Sequence, residues 1–337
     1  MPPLHSSTQH QPPLRLLLDC DPGLDDALAL LLAHADPALQ LVAVTTVGGN
    51  VSLENTTRNA LQLRQYLGFE RVPVAAGAPA PLARPARSAA HVHGEEGLGD
   101  VRLPVAGAAA STAHAVDTIV DTLRDSPGDV HLVATGPLTN IALALRREPR
   151  IVEWAASFVI MGGSYTRGNA TPAAEFNIYA DPEAAAEVFA ANWNVVMIGL
   201  DATLQAIATP TIVDRMRALG SLGTEFAVPL STFWTDPNDA DWPGQAVHDV
   251  CAVAYVARPD LFVSRPALVR VETEGEYTSG MTVVDFNAAD PDAADPNATV
   301  VTTVDVDAFW DYVLGVWALV APEIDDRAAH AGERTRG

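Results

Sequence analysis

Four acids crowd the turn between one short apolar run and one apolar helix, and no other stretch constrains the chain as strongly. From Arg15 the sequence reads Arg-Leu-Leu-Leu-Asp-Cys-Asp-Pro-Gly-Leu-Asp-Asp and then continues to Ala35 in leucine and alanine, broken only by His34. Leu16, Leu17 and Leu18 have the continuous apolar character of a buried parallel strand. Pro22 and Gly23 end it, and from Leu24 the apolar density predicts a helix buried on most sides. Strand alternation sends Asp19 and Asp21 to one face and Cys20 to the other. Asp25 and Asp26 fall in the first helical turn, where free N–H groups and the helix dipole favour negative charge. A bland account has Asp25 and Asp26 cap the helix and Asp19 pair with an arginine. Four mutually repelling carboxylates need more than that: protonation, solvation or a bound cation. Oxygen ligands at this density suit a hard ion such as calcium or magnesium. The carboxyl end of a parallel strand is where open α/β sheets bind ligands.

A chain of 337 residues with 48% hydrophobic content can bury a sizeable core. Its formal net charge of -22 argues against nucleic acid or an anionic membrane as partner, since both need a basic face, and leaves a small neutral substrate open. Cys20 and Cys251 are the only cysteines, too few for a disulfide framework; both read as small buried residues in a reducing compartment. The chain contains no lysine. That removes the phosphate-loop lysine, Schiff-base lysines and lysine general bases. It also weakens the haloacid-dehalogenase-like phosphatases as a reading of the Asp-x-Asp turn, because they normally steady the phosphoryl group with a lysine. No signal peptide or spanning segment is evident, so the expected location is cytoplasmic.

Along the chain, β-type and helical stretches alternate. Leu41–Val47 reads as a strand ending in Gly48-Gly49-Asn50, followed by a helix from Val51 to Leu67. Val72–Ala75, Val130–Ala134, Ser157–Met161 and Asn194–Leu200 read as further strands, with helices between them. The pattern predicts an α/β fold with a mostly parallel open sheet, helices on both faces and some extra C-terminal β-structure. No Gly-x-Gly-x-x-Gly follows any strand, which disfavours a dinucleotide site. Residues 76–111 form a long irregular connection, more often functional than idle. Pro237–Gln245 reads as a mobile flap, Asp290–Asn297 as an acidic loop, and Asp307 to about Val320 as a closing helix. The expected organisation is a disordered tail over 1–13, a single α/β domain over 14–322 and a frayed tail over 323–337.

The first motif resembles the N-terminal signature of the inosine-uridine-preferring nucleoside hydrolases, and the likeness extends from about Leu16 to Val320. Thr45–Asn50, His91–Glu95, Thr135–Asn140, Met161–Gly163, Asn169–Thr171, Ala174–Asn177 and Val247–Asp249 all match in family order. The resemblance implies a Rossmann-like nucleoside hydrolase fold and a calcium ion (Ca2+) held by Asp21, Asp26, the carbonyl of Thr135 and Asp249. It makes Asp21 the base that activates water and His248 the acid that protonates the departing base; an imidazole suits that task near neutral pH. Asp25 would grip the ribose hydroxyls, and Asn50, Asn169, Glu175 and Asn177 would hold the ribose. Met161 and Phe176 would pack near sugar and base, and His93 would touch the base. Asp19 carries no ligand role and is expected to support its neighbours.

The implied reaction is hydrolysis of the N-glycosidic bond of ribonucleosides through an oxocarbenium-like state, yielding ribose and free base. Specificity is expected to be broad or to lean to inosine and uridine, with a homodimer or homotetramer as the assembly. Residues 226–245 depart from the family pattern; Trp234 and Trp242 there are able to stack on a base or simply to fill core. Two rival readings stand beside this one. One is a magnesium-dependent phosphatase of the Asp-x-Asp type, the other a nucleoside-binding protein without turnover.

Overall fold

The computed structural model describes residues 12–235, 242–287 and 295–334, with side chains described as far as residue 327. Among the described residues nine strands form one sheet: β1 (Leu14–Cys20), β2 (Leu39–Thr46), β3 (Val74–Ala76), β4 (Val130–Ala134), β5 (Ala155–Met161), β6 (Val195–Ile198), β7 (Phe262–Val271), β8 (Thr282–Asp285) and β9 (Ala298–Val304). Their order is β3-β2-β1-β4-β5-β6-β9-β7-β8. Every pairing from β3 to β9 is parallel, whereas β7 runs antiparallel to both β9 and β8. The expected open parallel sheet with extra C-terminal β-structure is therefore present.

Strand alternation divides the core into two layers. Leu16, Leu18 and Cys20 pack on one side of the sheet with the helix Leu24–Ala35. Leu17 packs on the other with the helices Ala115–Asp125 and Thr139–Arg147. In the helix Leu24–Ala35 every residue except His34 is buried, which is why its sequence is apolar around the whole circumference. The helix His248–Ala257 packs beside it and is equally apolar within.

The chain leaves β1 in one direction to β2 and β3, then returns to the other side of β1 to begin β4. That reversal puts a crevice at the carboxyl ends of β1 and β4, the usual ligand position in such sheets. The turn after β5 needs Gly163 in the left-handed region (φ +76°). Thr282 of β8 holds the same turn, donating to the Ser164 carbonyl at 2.6 Å and accepting from the Ser164 N–H at 2.8 Å.

The closing helix departs from expectation. It runs from Val306 to Arg334 through Pro322, instead of stopping near Val320. Tertiary contacts outweigh the missing proline N–H: Ala321 and Ile324 are buried in the core, and Asp325 accepts from the Ser221 N–H at 2.9 Å. The expected tail over 1–13 lies outside the described residues except for Pro12 and Pro13. The acidic loop at 290–297 and the flap at 237–245 also fall partly outside them. The described end of that flap is fixed in place: Ala208 N–H donates to the Gln245 carbonyl at 2.8 Å, and Ile207 bridges Ala246. Among the described residues no helix is long and apolar enough to cross a membrane.

Candidate active site

Two helix N-termini converge on the crevice. The helix Leu24–Ala35 carries Asp25 and Asp26 in its first turn, and the helix His248–Ala257 carries Asp249 in its own. All three carboxylates are buried, and each offers an oxygen so placed that the three lie within 4.8 Å of one another. The dipoles of both helices favour this charge, yet burial works against it. Burial first, and then the neighbouring acids, push Asp249 and Asp21 well above the ordinary carboxylate range. Asp26 rises to about 7, with burial the main cause and Asp25 the next. Asp25 rises to about 6 by burial, tempered by its own N–H and those of Asp249 and His248.

Asp26 is held from several sides. Its Oδ2 accepts from the Gly23 N–H at 3.0 Å and from Asn50 Nδ2 at 3.1 Å, and its Oδ1 accepts from Thr135 Oγ1 at 2.9 Å. Asp21 Oδ2 accepts from the Asn50 N–H at 2.7 Å, while Asp21 Oδ1 is buried with no hydrogen-bond partner among the described residues. The backbone comes close here. A Cβ on Gly136 would stand 2.8 Å from that orphaned oxygen, and one on Gly49 would collide with Oδ2. An orphaned carboxylate oxygen beside three crowded, buried acids and a peptide carbonyl is a donor set that fits a hard dication.

Among the described residues no arginine pairs with Asp19. Its Oδ1 accepts from Thr45 Oγ1 at 2.6 Å and Asn140 Nδ2 at 2.8 Å, and burial raises it to about 7. It braces β1 against β2 and the helix Thr139–Arg147 beneath the acids.

Above this floor opens a cavity of about 1120 Å³, large enough for a nucleoside. Asp25, Asn50, His93, Thr135, Met161, Asn169, Glu175, Phe176, Asn177, His248 and Asp249 all line it; Asp21 and Asp26 lie behind. The sequence thus named the residues that the fold brings together, with one difference of grouping. The tight carboxylate trio contains Asp25, to which the resemblance gives a sugar role, and leaves Asp21 beside it.

Glu175 caps the short helix Phe176–Ala180. Its two oxygens accept from the N–H groups of Asn177, Ile178 and Gly163 at 2.9, 3.2 and 2.9 Å. Burial nonetheless raises it to about 7. Asn177 Nδ2 donates to the Thr135 carbonyl at 2.7 Å and to the Met161 carbonyl at 3.1 Å, tying β4 to β5. Asn169 Oδ1 accepts from the Phe176 N–H at 2.9 Å.

Burial disfavours the charged form of both His93 and His248. His93 Nδ1 accepts from the Leu24 N–H at 3.0 Å, which places its proton on Nε2, and burial lowers it to about 3. His248 is half-buried at the cavity wall, is lowered to about 4 by burial, and meets Thr203 Oγ1 at 2.7 Å through Nδ1. Sequence reasoning missed Thr203, Leu204 and Gln245. The weak signals for them were Asp201-Ala202-Thr203 at the end of β6, where loops reach the site, and the short spacing from Gln245 to His248.

An open, mostly parallel sheet with a carboxylate floor under a nucleoside-sized cavity is an arrangement that suits an α/β hydrolytic enzyme. The family model for the inosine-uridine preferring nucleoside hydrolases matches residues 16–311. The chain is 45% identical over 306 residues to the inosine-uridine preferring nucleoside hydrolase of Leishmania major, covering 90% of this chain and 96% of that one. It is also 45% identical over 308 residues to the non-specific ribonucleoside hydrolase RihC of Escherichia coli, covering 91% and 99%. The purine-preferring ribonucleoside hydrolase of Gardnerella vaginalis superposes with a TM-score of 0.85 at 33% identity, over 91% of this chain and 99% of that one. The chain belongs to the inosine-uridine preferring nucleoside hydrolase family, whose members are glycosidases acting on N-glycosyl bonds.

Proposed function

We propose that this protein is a calcium-dependent ribonucleoside N-ribohydrolase, with broad or inosine- and uridine-leaning specificity. The observation that carries the metal is the convergence of buried Asp25, Asp26 and Asp249 beside the orphaned Asp21 Oδ1. Asp21, Asp26, Asp249 and the Thr135 carbonyl would hold the ion. When bound, the ion supplies positive charge that acidifies water and offsets the acid cluster. Asp21, with an oxygen free of protein partners, takes the proton of the attacking water.

Asp25 and Asn50 grip the ribose hydroxyls from the floor, and Asn169, Glu175 and Asn177 fix the sugar from the β5 side, holding C1′ in line with the water. Met161 and Phe176 pack against the sugar and base. The buried carboxylates stabilise positive charge developing on the ribose ring. His248 passes a proton, taken up from solvent as negative charge builds on the departing base, through Nε2 to that base, and Thr203 against Nδ1 steadies the ring for the transfer. His93 bounds the base on the opposite wall. The names of the relatives span inosine-uridine, non-specific and purine-preferring enzymes, so the base side of the cavity decides preference. A homodimer or homotetramer in the cytoplasm, with residues 14–322 as one domain, completes the proposal.

The test is reducing-sugar release from inosine, uridine, adenosine, guanosine and cytidine, before and after EDTA treatment and calcium add-back. The expected result is release that the chelator removes and calcium restores. Release that survives complete metal removal overturns the metal assignment, and release of phosphate from a phosphorylated substrate in its place supports the phosphatase reading.

A further inference from the structure

Two buried polar atoms on the base side of the cavity have no hydrogen-bond partner among the described residues: Gln245 Oε1, an acceptor, and Trp242 Nε1, a donor. Both residues line the cavity with His248. Gln245 is only 8% exposed, and buried polar atoms are rarely left unsatisfied without a functional reason. Its backbone is not free to swing the side chain away. The Gln245 carbonyl accepts from Ala208 N–H at 2.8 Å, and Val247 N–H donates to the Ala206 carbonyl at 3.1 Å. The Trp242 ring is set edge-on to Trp234, with centroids 5.1 Å apart and planes at 86°. Neither atom is used by the sugar or metal chemistry.

An acceptor and a donor held ready in one wall complement a ligand edge that presents an N–H beside a carbonyl. The lactam edge of hypoxanthine or uracil has that arrangement. We propose that Gln245, assisted by Trp242, is a specificity-determining residue that reads the lactam edge of the base, Gln245 Oε1 accepting the ring N–H and Trp242 Nε1 donating to the adjacent carbonyl. This rests on the nucleoside reading above and adds to it the feature of the base that is selected. Desolvated groups built to hydrogen-bond a substrate discriminate strongly against an analogue that cannot answer them.

The experiment compares kcat/KM for inosine with 1-methylinosine, uridine with 3-methyluridine, and p-nitrophenyl riboside, in the parent protein and in Gln245→Ala. Methylation removes the ring N–H, and p-nitrophenyl riboside has no lactam edge. The parent is expected to prefer each parent nucleoside over its methylated form by about tenfold or more. Gln245→Ala is expected to erase that preference while leaving p-nitrophenyl riboside within about twofold. Trp242→Phe, which keeps the ring and loses the N–H, is expected to weaken all four nucleosides, whose carbonyl survives methylation, and to spare p-nitrophenyl riboside. Gln245→Met, which keeps the length and loses the acceptor, serves if the alanine variant does not fold. Unchanged discrimination in a folded Gln245 variant, or an equal loss on p-nitrophenyl riboside, overturns the role of Gln245. A parent protein that releases ribose from no substrate overturns the nucleoside reading itself.

Discussion

The floor and the base wall of the cavity are built on opposite terms. On the floor, Asp26 accepts from Gly23, Asn50 and Thr135, and Asp19 from Thr45 and Asn140. Asp26 and Asp19 are each located by donors from β2, the helix Thr139–Arg147 or the turns after β1, β2 and β4, so their positions are over-determined. The oxygens without a partner among the described residues, Asp19 Oδ2 and Asp21 Oδ1, sit on carboxylates that the scaffold holds. The wall formed by Trp234, Trp242, Gln245 and His248 is anchored by its backbone and presents unpartnered atoms to the cavity. Chemistry that must be preorganised sits where the scaffold leaves no freedom, and recognition of the base sits where one residue can change without disturbing the rest.

The largest effect should come from breaking the floor. Asp26→Ala or Asp21→Ala is expected to lower kcat/KM by more than about a thousandfold and to abolish calcium binding in titration calorimetry. A variant that still binds calcium and turns over would dissolve the distinction between floor and wall. His248→Ala should cost about a hundredfold on inosine and only a few-fold on p-nitrophenyl riboside, whose leaving group needs no proton. Equal losses in steady-state assays would move His248 from acid to mere packing.

The floor can also be read through pH without any mutation. Asp26 and Asp25 are raised to about 7 and about 6 in the folded protein, against ordinary values of 3.8. Between about pH 4 and pH 7 these acids bind more protons folded than unfolded, while His93 and His248, lowered by burial, do the opposite. With Asp19 and Glu175 also raised to about 7 the acids outweigh the histidines, and stability falls as pH rises through that window. Metal-stripped protein should show a Tm that declines from pH 5 to pH 7, and calcium should remove the decline. A flat Tm in stripped protein would show that the acids do not repel as their burial implies. The smallest effect belongs to the wall: Trp234→Ala is expected to raise KM for nucleosides about tenfold, the scale of one lost base–aromatic stack, with kcat little changed. No change in KM would return Trp234 to the core.

Much of the floor was legible in the sequence because its residues are close in the chain or occur in short motifs at strand ends. Asp19, Asp21, Asp25 and Asp26 share one turn, and periodicity alone placed them at a β1 terminus with Cys20 facing away. The wall was less legible. Thr203 reaches His248 across 45 positions, and Gln245 lines the cavity beside a bridge that joins Ala246 to the distant Ile207. No local pattern encodes either event. The continuation of the last helix past Pro322 was hidden for a similar reason, since buried Ala321 and Ile324 override a local breaker.

The sequence by itself determined the parallel sheet, the strand–turn–helix that concentrates four acids, and the family, because periodicity, turn chemistry and ordered motifs are local properties of a chain. The tertiary structure alone decided which acids meet. It brought Asp249 from a distant helix against Asp25 and Asp26, and left one oxygen of Asp21 without a protein partner. Those outcomes depend on how two apolar helices pack side by side and where their N-termini come to rest, which no single stretch of sequence specifies.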